Sequence, residues 1–134
     1  MSQENVEIVR RAYEAYNRRQ IERVQALSHE ECVVYTVIEG QAEPRPFRGH
    51  DGIRDWIENE NAVWESVKID DLDLRDLGED RVFTYGVASL RGRGSGVKLS
   101  APVWSVLELR EGTIYRLRSF PDRAEALEAA GLSE

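Results

Sequence analysis

The stretch VKLSAPVWSVLELR at residues 97–110 decides the fold, because its β-branched and apolar residues predict a long strand between two turns. The glycine-rich GRGSG at 92–96 turns the chain into this strand, and EG at 111–112 turns the chain out of it. Strand-like runs lie on either side, RVFTYGVASLR at 81–91 and TIYRLRSF at 113–120. The spacing of runs and turns predicts an antiparallel meander.

Apolar residues occupy both faces of the strand predicted at 97–110. Trp104 and Val106 share one face, while Val103 and Leu107 are among the apolar residues on the other. A sheet with one side in water would alternate more cleanly between apolar and polar residues. We therefore expect both faces to be covered, one by helices and the other by a second subunit.

Upstream of the meander, apolar residues recur every three to four positions, which predicts three helices. Their predicted extents are Ser2 to about Arg18, Ile21 to Leu27, and near Asp51 to near Glu65. Trp64 belongs to the apolar stripe of the third helix. A strand is predicted at ECVVYTVI, residues 31–38, and a proline-bearing loop follows it at residues 39–49. Helices first and antiparallel strands afterwards indicate an α+β fold.

Two local features refine this pattern. Between the third helix and the meander, the strand phase slips by one residue at Asp70-Asp71, which predicts a β-bulge. After the last strand, Asp122 and Glu125 form a capping-box-like pair, and Gly131 supplies a left-handed stop. A short C-terminal helix is therefore expected between them.

The composition limits the class of protein. The chain has 134 residues, of which 41% are hydrophobic and 32% charged, as in one soluble globular domain, expected over residues 1–134. The net charge of −7 argues against nucleic acid and acidic membranes as partners, because both bind concentrated basic surfaces. The N-terminal MSQENVEIVRR lacks the apolar run of a secretory signal, and the single cysteine, Cys32, fits a reducing compartment. We expect a cytoplasmic protein.

Three stretches carry a resemblance to a known family: VRRAYEAYNRR at 9–19, PFRGHDGIRDW at 46–56 and GTIYRLRSFPDRAEALEAAGL at 112–132. With the order of elements, they resemble the nuclear transport factor 2-like superfamily, and within it the SnoaL-like proteins, relatives of ketosteroid isomerase and polyketide cyclases. The resemblance implies a cone-shaped, cystatin-like α+β fold, with helices packed on a curved, mainly antiparallel sheet. It also implies a cavity for small apolar or aromatic molecules, and a homodimer through the convex face of the sheet.

Ketosteroid isomerase-like catalysis needs an aspartate base, together with a tyrosine and a protonated carboxylic acid that donate hydrogen bonds to the developing oxyanion. In the resemblance the position of the aspartate base falls near Thr36, that of the tyrosine on Ala12, and that of the carboxylic acid on Trp104. None of them carries the required group, which argues against this chemistry. Trp104 is expected instead in the wall of the cavity, where its indole can stack on a ligand.

Other candidates for acid, base or metal chemistry are sparse. Dehydratase-like relatives use a histidine-aspartate dyad, but we expect His50 near a helix terminus facing solvent and His29 on the surface. Glu108 and Arg118 form the best remaining pair for activating water, as in epoxide hydrolase-like relatives. His29 and Cys32 do not make a zinc site, because zinc takes three or four protein ligands. We therefore expect no metal and no cofactor.

The supply of aromatic residues is the strongest sign of a ligand site, because such sites are mostly apolar with few polar groups. The residues expected to line the cavity are Tyr13, Tyr16, Tyr35, Trp56, Trp64, Tyr85, Trp104, Glu108 and Arg118. Three functions remain open. The chain binds a small apolar or aromatic molecule without a cofactor, or it is a cofactor-independent isomerase, cyclase or dehydratase with a non-standard acid or base, or it is a dimerisation or protein-interaction module with a closed cavity. An enzyme would need a titratable residue with a shifted pKa inside the cavity.

Overall fold

The computed structural model describes residues 2–36 and 46–132 of the chain. In order, the elements are α1 (Ser2–Asn17), α2 (Ile21–Ala26), β1 (Ser28–Tyr35), β2 (Phe47–Arg48), α3 (Gly49–Val63), β3 (Trp64–Gly78), β4 (Arg81–Gly92), β5 (Lys98–Arg110), β6 (Thr113–Phe120) and α4 (Arg123–Ala130). Among the described helices, none has the length and apolar character needed to cross a membrane.

The strands of the described residues form one sheet in the order β2-β1-β6-β5-β4-β3. From β3 to β6 each strand pairs antiparallel with the next, as the meander predicted. At the other end of the sheet β1 runs parallel to β6 and antiparallel to the short β2. The α+β class and the mainly antiparallel sheet are confirmed.

The sheet has an inner face, on which α1 and α3 pack, and an outer face. On β5 the inner face carries Val103 and Leu107, and the outer face carries Trp104 and Val106, because successive side chains of a strand point to opposite sides. Val103 belongs to a buried cluster with Ile53 of α3, and Leu107 to a second buried cluster with residues of α1. Together these clusters form the core between the helices and the sheet.

Part of the outer face is covered by the chain itself. Helix α4 contacts β5 and β6, and its Leu127 is buried. Val106 is only 1% exposed although it faces away from α1 and α3, so α4 covers this part of the outer face. Trp104, two residues earlier on the same face, remains partly exposed. Cover by a second subunit remains a prediction for the rest of this face.

Three element boundaries differ from the sequence prediction. The third helix ends at Val63, and Trp64 opens β3 instead of closing the helical stripe. The first strand begins at Ser28 and ends at Tyr35, and the last two residues of its predicted range, 37 and 38, lie outside the described residues. Residues 37–45 also include most of the predicted loop, so the structure describes only its end, where Phe47–Arg48 forms β2.

The predicted bulge and the predicted caps are confirmed. The pairing of β3 with β4 shifts register between Asp70 and Asp73, and Asp71 takes a positive φ of 54°. The side chain of Asp122 accepts hydrogen bonds from the first amides of α4, and Gly131 ends that helix with a φ of 75°. The residue after a helix often takes the left-handed conformation, and glycine is common there because it adopts this conformation without strain.

Candidate functional site

A mainly apolar cavity lies between the inner face of the sheet and helices α1 and α3. Its wall includes Val34, Ile53, Ile69 and Val103. The cavity contains about 640 Å³ of space outside protein atoms, part of it open to solvent, but the centre of a water molecule can reach only about 60 Å³. One water needs roughly 10–15 Å³ of such space, so the cavity has room for a few waters and is narrow.

Hydroxyl groups form the polar side of the cavity wall. The hydroxyl of Tyr13 lies 2.8 Å from Oγ1 of Thr84, and Oγ of Ser105 lies 3.0 Å from Oγ of Ser119. Tyr13, Ser105 and Ser119 line the cavity, whereas Thr84 does not. Burial raises the pKa of Tyr13 despite these contacts, so its hydroxyl stays protonated at neutral pH. We call these four residues the hydroxyl cluster.

A buried carboxylate stands behind the aromatic part of the wall. Oε1 of Glu60 accepts hydrogen bonds from the Tyr16 hydroxyl at 2.7 Å and from Nη2 of Arg19 at 2.9 Å. Oε2 of Glu60 accepts one from Nε1 of Trp56 at 2.9 Å. The rings of Tyr16 and Trp56 stack with centroids 5.1 Å apart and planes 19° apart, and both line the cavity.

The electrostatics of this carboxylate are dominated by its burial. The side chain of Glu60 is 0% exposed, and loss of hydration raises its pKa, although the donations from Tyr16, Arg19 and Trp56 oppose the shift. The pKa of Tyr16 is raised well above its usual value, first by burial and then by the negative charge of Glu60. Tyr16 is therefore a neutral hydrogen-bond donor at neutral pH.

The structure brings together three of the residues predicted for the site, since Tyr13, Tyr16 and Trp56 line the cavity. Trp64 packs against the adjoining core without lining the cavity. These three residues follow the periodicity of α1 and α3, in which residues three and four positions apart share one helical face.

Five predicted residues lie on the outer face of the sheet and do not line this cavity: Tyr35, Tyr85, Trp104, Glu108 and Arg118. The reason is strand alternation, because Val103 and Ser105 point into the cavity and Trp104 between them must point away. Trp104 instead pairs across the sheet with Tyr85, and their ring centroids are 5.3 Å apart. The proposed Glu108-Arg118 pair is also wrong, since Glu108 lies opposite Arg116 and approaches its Nε at 3.8 Å.

The structure shows where the three positions compared with ketosteroid isomerase lie. Ala12 and Thr36 do line the cavity, but they offer neither a phenol nor a carboxylate. The inward residues next to Trp104 are Val103 and Ser105, so a shift of register by one residue supplies no carboxylic acid either. Among the described residues the cavity wall lacks the isomerase set.

The two histidines hold backbone groups near β1. A ring nitrogen of His50 lies 3.0 Å from the carbonyl oxygen of Ser28, and Nδ1 of His29 accepts a hydrogen bond from the amide of Glu31. Neither ring lines the cavity. In the described part of the chain, no three His, Cys, Asp or Glu side chains are grouped so that they could hold a metal ion.

Sequence reasoning missed Glu60 and the hydroxyl cluster. A signal for Glu60 was present, because it continues the helical spacing of Ile53, Trp56 and Ile57, where an apolar residue is expected. A glutamate in that place is buried and needs hydrogen-bond donors. The hydroxyl residues carry no comparable signal, since serine and threonine in strands are common on either face.

The fold and site define a class: an α+β protein with three helices over one face of a mainly antiparallel sheet and a narrow aromatic cavity between them. Residues 9–117 match the SnoaL-like domain, and the chain belongs to this family. Among curated proteins no sequence matches the chain.

Solved structures of the same fold cover almost the whole chain. A candidate polyketide cyclase from Xanthomonas campestris pv. campestris is 18% identical, with a TM-score of 0.78 over 96% of this chain and 98% of its own. TerC, crystallised with polyporic acid, is 19% identical, with a TM-score of 0.77 over 96% and 98%. Bal32a, from a soil-derived mobile gene cassette, is 19% identical, with a TM-score of 0.79 over 96% of each chain. At these identities the likeness shows a shared fold, the nuclear transport factor 2-like fold of the ketosteroid isomerase relatives.

Proposed function

We propose that this SnoaL-like domain binds a small uncharged molecule with an apolar, flat body in the cavity between the sheet and helices α1 and α3. The observation that carries the proposal is the wall itself. It combines aliphatic side chains and the stacked rings of Tyr16 and Trp56 with hydroxyl groups, and the described residues place no charged side chain on it. A charged ligand would lose its hydration there without gaining an ion pair.

The hydroxyl cluster favours a ligand that carries an oxygen atom. Ser105 and Ser119 both line the cavity, and the hydrogen bond between them uses only one of their two hydroxyl hydrogens. At least one hydrogen is left for an acceptor on the ligand, such as the oxygen of a phenol or a ketone. The polar contacts of Tyr16 and Trp56 are already directed at Glu60.

The narrow cavity favours a ligand of one or two rings. The centre of a water molecule can reach only about 60 Å³ of this cavity. Typical sites for drug-sized ligands enclose about 300–1,000 Å³, so a steroid would fit only if residues of the wall moved. TerC, which shares the fold, was crystallised with polyporic acid, and this supports use of the fold for ligand binding without naming the ligand of this chain.

A thermal-shift series with matched compounds tests the proposal. The compounds are a phenol, the corresponding hydrocarbon, the corresponding carboxylate and a steroid. A ligand at about one hundred times its dissociation constant adds roughly 2.7 kcal/mol of stability, which raises Tm by several degrees. We expect the phenol to give the largest shift. A larger shift with the carboxylate, or no shift with any neutral compound, would contradict the proposal.

A pair of tyrosine variants places the binding on the protein. Tyr13→Phe removes a hydroxyl of the cavity, and Tyr85→Phe removes one on the outer face. We expect Tyr13→Phe to weaken phenol binding by roughly fivefold, the factor for one ordinary hydrogen bond, and to leave hydrocarbon binding unchanged. Tyr85→Phe should bind both compounds like the wild type. Equal effects of the two variants would place the ligand outside this cavity.

The structure offers less support for the other functions. Tyr13 and Tyr16 are the titratable groups of the described cavity wall, and burial raises both of their pKa values, so neither acts as a base at neutral pH. A closed interaction module would need Trp104 in the cavity, but Trp104 lies on the outer face. The buried, unpaired Cys32 supports a cytoplasmic location for the protein.

We also propose that the domain forms a homodimer through the outer face of the sheet. Tyr85, Trp104 and Phe120 lie side by side on three neighbouring strands and are only partly buried, and this aromatic row continues beyond the part covered by α4. Sedimentation at micromolar concentration should show a dimer for the wild type and a monomer for Trp104→Glu. Val63→Glu, at an apolar residue 53% exposed at the end of α3, is the matched control and should remain dimeric. A monomeric wild type would contradict this proposal.

A further inference from the structure

We propose that Glu60 is a positioning residue of the cavity, which fixes the rings of Tyr16 and Trp56 and thereby determines which flat molecules the cavity accepts. The inference rests on the proposed ligand-binding function, because it concerns the same cavity. Glu60 lies behind the wall and does not line it, whereas both rings do. Its effect on a ligand therefore passes through those rings.

The carboxylate joins two helices at the aromatic wall. Tyr16 comes from α1, and Trp56 comes from α3, one helical turn before Glu60. One carboxylate oxygen accepts from the Tyr16 hydroxyl, and the other accepts from the Trp56 indole. Stacked aromatic pairs tolerate a range of offsets, so stacking by itself does not set their position. Two directed hydrogen bonds to one rigid carboxylate do set it.

Arg19 fixes the carboxylate from the surface side. Its Nη2 lies 2.9 Å from Oε1 of Glu60, and its Nε donates to Oδ1 of Asn61 at 3.0 Å. The guanidinium also lies 4.7 Å from the centre of the Tyr16 ring. Because the Arg19 side chain is 20% exposed, it links the buried carboxylate to the protein surface. The carboxylate of Glu60 is therefore bound by Tyr16 and Trp56 on the cavity side and by Arg19 on the surface side.

Filling the apolar stripe of α3 does not by itself require a carboxylate at this position. A leucine at position 60 would complete the apolar stripe of Ile53, Trp56 and Ile57 without a cost of desolvation. A carboxylate differs from leucine in accepting several directed donors at once, and here it accepts from three. What the carboxylate adds is orientation of the donors, two of which carry the aromatic rings of the cavity.

The first test examines the rings without any ligand. The indole N–H signal of Trp56, identified by its loss in Trp56→Phe, is followed by NMR in Glu60→Gln and in the matched control Glu58→Gln. The side chain of Glu58 is on the same helix but 56% exposed. We expect the Trp56 signal of Glu60→Gln to move and to exchange with water at least roughly fivefold faster, because the cluster opens more often. Glu58→Gln should match the wild type.

The second test measures ligand selection. Affinities are compared for naphthol and for its tetrahydro analogue, which has one puckered ring and the same hydroxyl. We expect the preference for the flat compound to fall by roughly five- to thirtyfold in Glu60→Gln, the factor equivalent to one or two hydrogen bonds. Arg19→Gln, with Arg18→Gln as its control, should lower the preference less, and it serves as the second variant if Glu60→Gln fails to fold.

The outcomes separate this inference from the proposed function. An unchanged Trp56 signal in folded Glu60→Gln overturns the inference whether or not a ligand binds. A changed signal with an unchanged affinity ratio overturns it as well, because Glu60 would then only hold the helices together. If the wild type binds neither compound, the proposed function fails for this class of ligand, and the role of Glu60 in ligand selection falls with it.

Discussion

Replacing Glu60 with leucine should destabilise the protein, although leucine is the better residue for an apolar interior. The substitution leaves the Tyr16 hydroxyl and the Trp56 indole N–H buried without an acceptor. Each orphaned donor costs about 1–3 kcal/mol, so roughly 4 kcal/mol for the two together. Arg19 adds little, because its partly exposed guanidinium can turn to water. The added apolar surface offsets about 1 kcal/mol, and about 3 kcal/mol of net loss remains.

Urea and thermal unfolding of the wild type and Glu60→Leu measure this loss. For a domain of 134 residues, 3 kcal/mol corresponds to a fall in Tm of roughly 10 °C. A double-mutant cycle with Arg19→Met should give a coupling energy of about 1 kcal/mol for the ion pair. Glu58→Leu, on the exposed side of α3, should change stability by less than about 0.5 kcal/mol. A loss below about 1 kcal/mol in Glu60→Leu, or a gain, would refute the reasoning that the carboxylate holds buried donors.

Three further outcomes follow from the structure. Gly52→Ala would place a Cβ 2.7 Å from the backbone carbon of Phe47, so we expect about 1–3 kcal/mol of destabilisation in urea unfolding. Asp122→Ala removes the cap of α4 and should cost about 1 kcal/mol, while Asp122→Ser should restore most of it. Burial raises the pKa of Glu60 in the folded state, so protonation favours folding. The stability of the wild type relative to Glu60→Gln should therefore be greatest below about pH 4.3 and fall as the pH rises through the folded pKa. A rise over that interval would show that Arg19 outweighs the burial.

Local signals were sufficient to predict most of the elements. The β-bulge near Asp70 and the capped helix after Asp122 are set by residues within a few positions of each other, so the sequence contains the whole cause. The boundary at Trp64 was missed because an aromatic residue fits both the end of a helical stripe and the start of a strand. The parallel pairing of β1 with β6 joins distant parts of the chain, and no local pattern specifies it.

The site was predictable on the helices and much less so on the strands. Tyr13, Tyr16 and Trp56 follow the period of α1 and α3, which fixes the side that faces the core. On β5, apolar residues occur on both faces, so the parity of Trp104 could not be decided from hydrophobicity. A one-residue choice of phase moves a side chain to the other side of the sheet. The resemblance to ketosteroid isomerase placed Trp104 inside, and the inward direction of Ser105 shows that this phase was wrong.

The buried carboxylate connects the two parts of the site that periodicity predicts separately. Periodicity assigns Tyr16 to the core side of α1 and Trp56 to the core side of α3, but it gives no distance between their rings. Glu60 fixes the distance between the two rings, because donors from both helices converge on its two oxygens. Loss of hydration raises the pKa of Glu60 more than its three donors lower it, so the ionised carboxylate keeps part of the cost of its burial. A charged residue on an apolar helical stripe, as at Glu60, therefore indicates a buried hydrogen-bond network.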